Sequence, residues 1–133
     1  MPAQPSFDYA LVRVVPRVER EEFVNAGVIL FCSERDFLAA KVHLDRARLR
    51  ALFPDVDVAL VEEHLAAVPR IAAGGEGSGP IGRLTTRERF HWLVAPRSTV
   101  IQVSPVHVGL CDDPALALER LFARMVVPGP SPR

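Results

Sequence analysis

The chain has 133 residues, of which 49% are hydrophobic and 24% charged, and its 16 basic residues balance its 16 acidic ones. This length suits a single domain, and the composition is that of a globular protein rather than a collagen-like, coiled-coil, disordered or disulfide-stapled chain. The zero net charge also disfavours non-specific nucleic-acid binding, for which a clear excess of basic residues is typical, and it is compatible with a local basic patch.

The sequence predicts a cytoplasmic protein. No segment reaches the roughly 20 apolar residues of a membrane-spanning helix, and the N-terminus lacks the basic and apolar regions of a signal peptide. We therefore expect Cys32 and Cys111 to be free thiols. Their spacing matches no zinc motif, and the sequence predicts neither a metal site nor a cofactor.

The N-terminal part of the chain predicts three successive strands. They cover residues 7–18, 27–32 and 37–44. Apolar and β-branched residues dominate them, and their short connections favour antiparallel pairing. Val12 and Val14 share one face of the first strand. Between the first two strands, Asn25 or Gly27 is expected to need a positive φ in a turn.

Helix signals dominate the rest of the chain. Helices are predicted over residues 45–53, 57–68, 85–94 and 114–127, with a further strand over 98–105 that residues 106–110 extend. Asp45 is the expected N-cap of the first helix, and Asp112 or Asp113 that of the last. Thr85 and Glu88 match a capping box. Pro69 is expected to end or kink the second helix.

This order of elements predicts one α+β domain over residues 7–127. It would have a small antiparallel sheet of about four strands, with the helices packed on one face. Residues 1–6 and 128–133 are predicted to be flexible termini.

Six segments carry a family pattern: residues 7–10, 13–16, 21–28, 79–82, 95–102 and 104–111. In these segments the chain resembles DUF3037, a family of bacterial proteins of unknown function. The resemblance implies a small intracellular bacterial protein and no assigned activity. Members of the family are often encoded beside a HipA-like kinase, so it also implies such a kinase or its substrate as a candidate partner.

A glycine-rich loop at residues 74–82 and the arginines after it form the first candidate site. Glycine backbone N–H groups can approach a phosphate closely, and Arg83 and Arg87 flank the start of a predicted helix. The loop matches neither the Walker nor the dinucleotide motif, so a surface linker is the alternative interpretation. Trp92, on the same helix, is expected to anchor the core.

A polar strand after this helix forms the second candidate site. In an extended segment Ile101 and Val103 would face the core, and polar side chains would offer hydroxyl and amide donors to an anionic or peptide ligand. An ordinary half-exposed strand is the alternative. The candidate binding residues are Arg97, Ser98, Thr99, Gln102 and Ser104.

His107 and Asp112 complete the set of candidate binding residues. With Cys111 they do not match a zinc site, since a second ligand pair is missing. No residue with an orienting partner stands out as a nucleophile, so no catalytic residue is predicted.

Two hypotheses follow for the function. The first is a non-enzymatic protein-interaction or regulatory module, whose surface comprises Arg97, the polar strand and the glycine-rich loop. The alternative is a phosphate- or nucleotide-handling enzyme or binder. There Arg83, Arg87 and Arg97 would hold phosphate oxygens and His107 would transfer protons. The sequence leaves open whether the protein is an enzyme and whether it forms a homo-oligomer.

Overall fold

The computed structural model describes residues 4–97 and 99–127. Its strands and helices are β1 (Ser6–Val14), β2 (Val24–Cys32), β3 (Phe37–Val42), α1 (Arg46–Leu52), α2 (Val58–Ala73), α3 (Thr86–Leu93), β4 (Ile101–Val103), β5 (His107–Leu110) and α4 (Pro114–Met125). Single turns of 3-10 helix lie at Val18–Arg20, Ser33–Arg35 and Pro80–Arg83. None of the helices in these two ranges has the length and apolarity to cross a membrane.

The strands form one five-stranded antiparallel sheet with β1 inside it. On one side, β2 pairs with β1, and β3 lies beyond β2 at the edge of the sheet. On its other side β1 pairs with two short strands, with β5 along its N-terminal half and with β4 along its C-terminal half. β4 and β5 are therefore two halves of one edge strand.

The break between these halves lies at Pro105. Tyr9 pairs with His107 and Val12 pairs with Val103, so the edge strand has one residue more than β1 over this stretch. At the break, Ser104 supplies the hydrogen bonds that pair the edge strand with β1. Its backbone N–H donates to the Leu11 carbonyl at 2.8 Å, and its hydroxyl accepts from the Leu11 N–H at 2.8 Å. The hydroxyl also donates to the Pro105 carbonyl, and the residue is buried.

The α+β class and the single domain are confirmed, with five strands rather than about four. The helices cover both faces of the sheet rather than one. α1, α2 and α3 pack on Val12, Val14 and Ile29, whereas α4 packs on Val28 and Leu30. The physical reason lies in β2, whose apolar residues point to both faces, so each face requires a cover.

β2 begins earlier than the sequence predicted. Asn25 and Gly27 lie inside it, and neither is among the residues with a positive φ. The expected turn is wrong at this point: Asn25 pairs with Arg13 beside a register shift in the β1–β2 ladder. Gly27 has a different role, because a Cβ there would lie 2.8 Å from the Lys41 carbonyl oxygen and 3.2 Å from the Val12 Cβ.

The helix N-caps agree with the predictions. The Asp45 side chain accepts from the Arg48 N–H, the capping box of Thr85 and Glu88 is complete, and Asp113 caps α4. The end of α2 was predicted wrongly, because the helix continues through Pro69 to Ala73. Ala72 is buried in the core beyond the proline, and this packing favours the last turn despite the missing N–H.

The chain termini are only partly described. β1 begins at Ser6, and the Pro5 carbonyl accepts from the Cys111 N–H at 3.0 Å. The predicted flexible tail at residues 128–133 lies outside the described residues, as do residues 1–3.

Replacing Ser104 with alanine should destabilise the protein. The substitution leaves the Leu11 N–H without its acceptor at the break, which costs about 1–3 kcal/mol of unfolding free energy. Urea denaturation would measure the change, with Ser6→Ala at an exposed serine of β1 as the control. An S104A variant as stable as wild type would show that the hydroxyl does not repair the ladder.

Gly27→Ala should also destabilise the fold. The added methyl group meets backbone and side-chain atoms of both neighbouring strands, and such overpacking costs about 1–3 kcal/mol. The thermal midpoint of G27A should fall by several degrees. An unchanged midpoint would contradict the tight contact between β2 and its two neighbours.

Candidate functional site

A groove lies between α2 and the edge strand β4, on the face of the sheet covered by α1–α3. Its first part has a volume of about 380 Å³, and the side chains of Val12 and Ile29 on the sheet line it. Its second part, of about 260 Å³, continues along α2 towards Phe53, and the two parts share His64, Thr99 and Ile101. We call the two parts together the α2–β4 groove.

The residue spacing on α2 creates one wall of this groove. Val61, Leu65 and Ala72 point into the core. A second stripe at helical spacing flanks the groove: Leu60, Glu63, His64, Ala67, Arg70 and Ile71. Residues three, four, seven and eight apart lie on one side of a helix, so this stripe forms a continuous surface beside the core stripe.

The opposite rim of the groove is formed by two side chains that stack on each other. Trp92 belongs to the last turn of α3, and Arg97 follows the end of that helix. The Arg97 guanidinium lies 4.4 Å from the centroid of the Trp92 ring. It also donates to the Trp92 carbonyl at 2.7 Å and to the Leu93 carbonyl at 3.2 Å. Carbonyls in the last turn of a helix lack intrahelical partners and carry partial negative charge, so Arg97 both caps α3 and is held in one orientation.

The rim of the first part of the groove is positively charged. Arg70 and Arg97 lie on it with one acidic residue, Glu63, whereas Asp57, the N-cap of α2, lines the second part. Over residues 4–97 and 99–127, neither arginine forms an ion pair. A guanidinium has five N–H donors, so the two hydrogen bonds of Arg97 leave donors for a ligand.

Trp92 is not the core anchor that the sequence predicted. Its side chain is 39% exposed at the groove rim, and Phe90 and Leu93 of the same helix are buried instead. α2 supplies more of the groove lining than any other helix or strand, and none of its residues was predicted from the sequence to bind a ligand. The sequence pattern that indicates these α2 residues is the second stripe at helical spacing beside the core stripe.

The predicted site residues divide between several places. Arg97 and Thr99 line the groove. Arg83 lines the cavity of the glycine-rich loop. Arg87 donates to the Ser33 hydroxyl at 2.9 Å and lies over the Phe31 ring. Arg87 lies in the first turn of α3, whereas Arg97 follows the helix and binds the carbonyls of its last turn. The eight-residue helix is about 12 Å long, so the three arginines do not form one phosphate clamp.

The polar strand residues bind the chain's own backbone. The Thr99 hydroxyl donates to the Ile101 carbonyl at 2.8 Å, and the Gln102 amide donates to the Thr99 carbonyl at 2.9 Å. Ser104 is buried at the strand break. Ser98 lies outside the described residues. Among the expected ligand donors of this strand, Thr99, Gln102 and Ser104 therefore bind the chain's own backbone.

The glycine-rich loop is also closed on itself. Gly74, Gly75, Gly77 and Gly79 all have positive φ, and the Gly75 N–H donates to the Gly82 carbonyl at 3.2 Å. Beneath the loop, Arg89 donates to the Leu84 carbonyl at 2.7 Å and to the Ala72 carbonyl at 3.3 Å. Arg89 thus ties the end of α2 to the start of α3. These internal bonds give the loop a structural role.

The remaining candidates lie near the junction of β5 and α4. His107 is exposed on β5, with its ring 5.3 Å from that of Tyr9. Asp112 is exposed before the cap residue of α4. Cys32 and Cys111 lie in one apolar cluster, where burial and then the neighbouring Cys32 thiol raise the pKa of the Cys111 thiol. A raised pKa opposes thiolate formation, so Cys111 is not an activated nucleophile.

Among the residues whose placement is described, no cluster of His, Cys, Asp and Glu side chains has an arrangement that could hold a metal ion.

Trp92 is the only tryptophan of the chain, so its fluorescence reports on the groove rim. Arg97→Ala should expose the ring to water and shift its emission to longer wavelength. Losing the cap and the cation–π contact should lower the unfolding free energy by about 1 kcal/mol. Arg87→Ala, at the other end of α3, should leave the emission unchanged. The same spectrum for R97A and wild type would contradict the stacked pair.

Comparison with known proteins places the chain in a family. A search of curated proteins and a search of solved structures each gave no significant match. The family model described as "Protein of unknown function (DUF3037)" matches residues 9–126, which is nearly the whole chain. The match includes all of the α2–β4 groove. The chain therefore belongs to the DUF3037 family.

Proposed function

We propose that this protein is a non-enzymatic interaction module of the bacterial cytoplasm, which binds a short segment of a protein partner in the α2–β4 groove. The observation that carries the proposal is the stacked pair of Trp92 and Arg97 at the rim of an apolar groove. Tryptophan and arginine are the residues most enriched where interfaces concentrate their binding energy, and they act best beside a pocket that excludes water.

The groove favours a segment with apolar side chains and one carboxylate. Apolar residues make up most of the lining of its second part, among them Phe53, Val56 and Leu60, and Asp57 is the acidic residue there. In the first part, Arg70 and Arg97 exceed the charge of Glu63. An apolar side chain would fill the groove, and an Asp or Glu of the partner would pair with a guanidinium. A HipA-like kinase or its substrate is the candidate partner that the family resemblance implies.

The same rim supports a second candidate function, the binding of a phosphate-bearing ligand such as a nucleotide. The exposed Trp92 ring offers a surface for stacking a base, and Arg70 and Arg97 have no ion-pair partner among the described residues. A cavity of about 380 Å³ is within the size range of small-ligand sites. This site would use Arg97 but neither Arg83 nor Arg87.

A substitution that fills the groove tests the proposal. Ala67 lines the groove on α2, whereas Ala59 of the same helix is exposed and lines neither part of it. Ala67→Phe should weaken partner binding at least tenfold, about 1.4 kcal/mol, and Ala59→Phe should not. Tagged wild-type, A67F and A59F chains would be purified from the native host, and the co-purifying proteins compared by mass spectrometry.

The outcomes separate the candidate functions. A stoichiometric partner retained by wild type and A59F but lost by A67F supports the interaction module. A partner retained by all three chains would place the binding surface elsewhere. If wild type retains no protein but ATP raises its thermal midpoint and shifts Trp92 emission, the ligand is a nucleotide and the module proposal is wrong. Equal thermal midpoints of A67F and A59F would exclude misfolding as the cause.

A further inference from the structure

The outer edge of β5 has an exposed apolar surface that the proposed groove does not include. Val106, Val108 and Leu110 are 43%, 69% and 65% exposed. Val108 and Leu110 pair with Asp8 and Ser6 of β1, so the two side chains point to the same face of the sheet. Ser6 beside them is exposed as well, so within the described residues that face is open to solvent at this end of the sheet.

The backbone of the same residues is unpaired on its outer side. The Cys111 N–H donates to the Pro5 carbonyl at 3.0 Å, and Gly109 and His107 pair with Phe7 and Tyr9. In an antiparallel ladder alternate residues direct their N–H and C=O groups to the same neighbour. The backbone groups of residues 107, 109 and 111 therefore bind β1. Val108 and Leu110 direct their backbone N–H and C=O groups outward, away from β1. Within the described part of the chain, β5 pairs with no strand other than β1.

This edge lacks three of the features that prevent edge pairing. Besides keeping edge strands short, proteins protect them with charged side chains, a proline or a bulge. The segment from Val106 to Leu110 contains none of these three, and between Arg97 and Asp112 the sequence has no Lys, Arg, Asp or Glu. The proline and the bulge both lie before the strand, at Pro105.

A second copy of the chain fits this edge in one register. With a two-fold axis at Val108, Val108 lies opposite itself and Val106 lies opposite the partner's Leu110. His107 lies opposite the partner's Gly109, which has no side chain to meet it. Every pair on the exposed face is then apolar, and such cross-strand pairs stabilise a sheet.

The flanking charges favour the same arrangement. Asp112 and Asp113 follow the strand directly. In the antiparallel register the two copies of Asp112 are eight residues apart, about 27 Å at the rise of a β-strand. A parallel arrangement would place these acidic residues side by side, and like charges directly opposite one another are destabilising.

We propose that β5 pairs antiparallel with β5 of a second copy, so that two five-stranded sheets join into one dimeric sheet. The contact is isologous, since each copy contributes the same residues. The α2–β4 groove is not part of this contact, because none of the paired residues from Val106 to Leu110 lines it.

Sedimentation velocity of the purified full-length chain tests this inference. Wild type should sediment as a dimer from micromolar to submillimolar concentration. V108D and V108K each place like charges opposite one another at the axis, so both should be monomers. Mixed in equal amounts, they should form a dimer containing one chain of each kind. Val18→Asp, at an exposed valine outside the strand, should remain dimeric.

A second pair of variants tests the register without changing Val108. L110D should weaken the dimer, and the double variant V106K/L110D should restore it, because the two changed positions lie opposite each other across the axis. A wild type that is monomeric throughout, a V108D dimer, or a failure of both charge pairings to restore the dimer would overturn the inference. Circular dichroism of each monomer would show whether it keeps the wild-type fold.

Discussion

The break in the edge strand at Pro105 is the constraint on which the rest of the structure depends. β1 needs a partner along its whole length, and a continuous strand cannot supply one where Pro105 lacks an N–H. Ser104 completes the pairing at this point, because its backbone N–H and its hydroxyl both form hydrogen bonds to the backbone of Leu11. The edge strand is thereby divided into β4, which lies under the helices, and β5, whose outer edge is open.

The two halves of the edge strand pack against different parts of the protein. The two proposed binding surfaces, the α2–β4 groove and the outer edge of β5, follow from this difference. β4 faces α2 and the end of α3 across the groove, where Arg97 is fixed by its bonds to the end of α3. β5 contacts β1 and leaves Val108 and Leu110 exposed. A partner segment in the groove and a second copy on β5 would therefore occupy separate regions of one molecule.

Local signals in the sequence predicted much of the fold. Caps at Asp45, Thr85 and Asp113 depend on a side chain and the N–H groups two or three residues later, so the sequence predicts them, although for α4 it left Asp112 as the alternative to Asp113. The position of α4 on the second face was not predictable in this way. It depends on β2 being apolar on both faces, and the sequence does not show which face each helix covers. The same limit applies to Gly27, whose close contacts are with residues distant in the chain.

The candidate site was less predictable than the fold. Arg97 and Thr99 were identified from the sequence, but the wall of the groove comes from α2, which lies about thirty residues earlier in the chain. Arg83 and Arg87 are close to Arg97 in sequence but contact different neighbours. Nearness in sequence is therefore a poor guide here, because a helix separates its two ends in space and the sheet brings distant segments together.

Amide hydrogen exchange, resolved by residue, tests the divided edge strand most directly. In the L110D variant, in which the dimer is weakened, the amides of Gly109, Cys111 and Leu11 should exchange slowly, because β1 or Ser104 binds them, while Val108 should exchange fast. In the wild-type dimer Val108 should become protected as well. A Val108 amide as protected as Gly109 in monomeric L110D, or a Leu11 amide that exchanges fast, would contradict a break at Pro105 where Ser104 completes the pairing and β5 stays open.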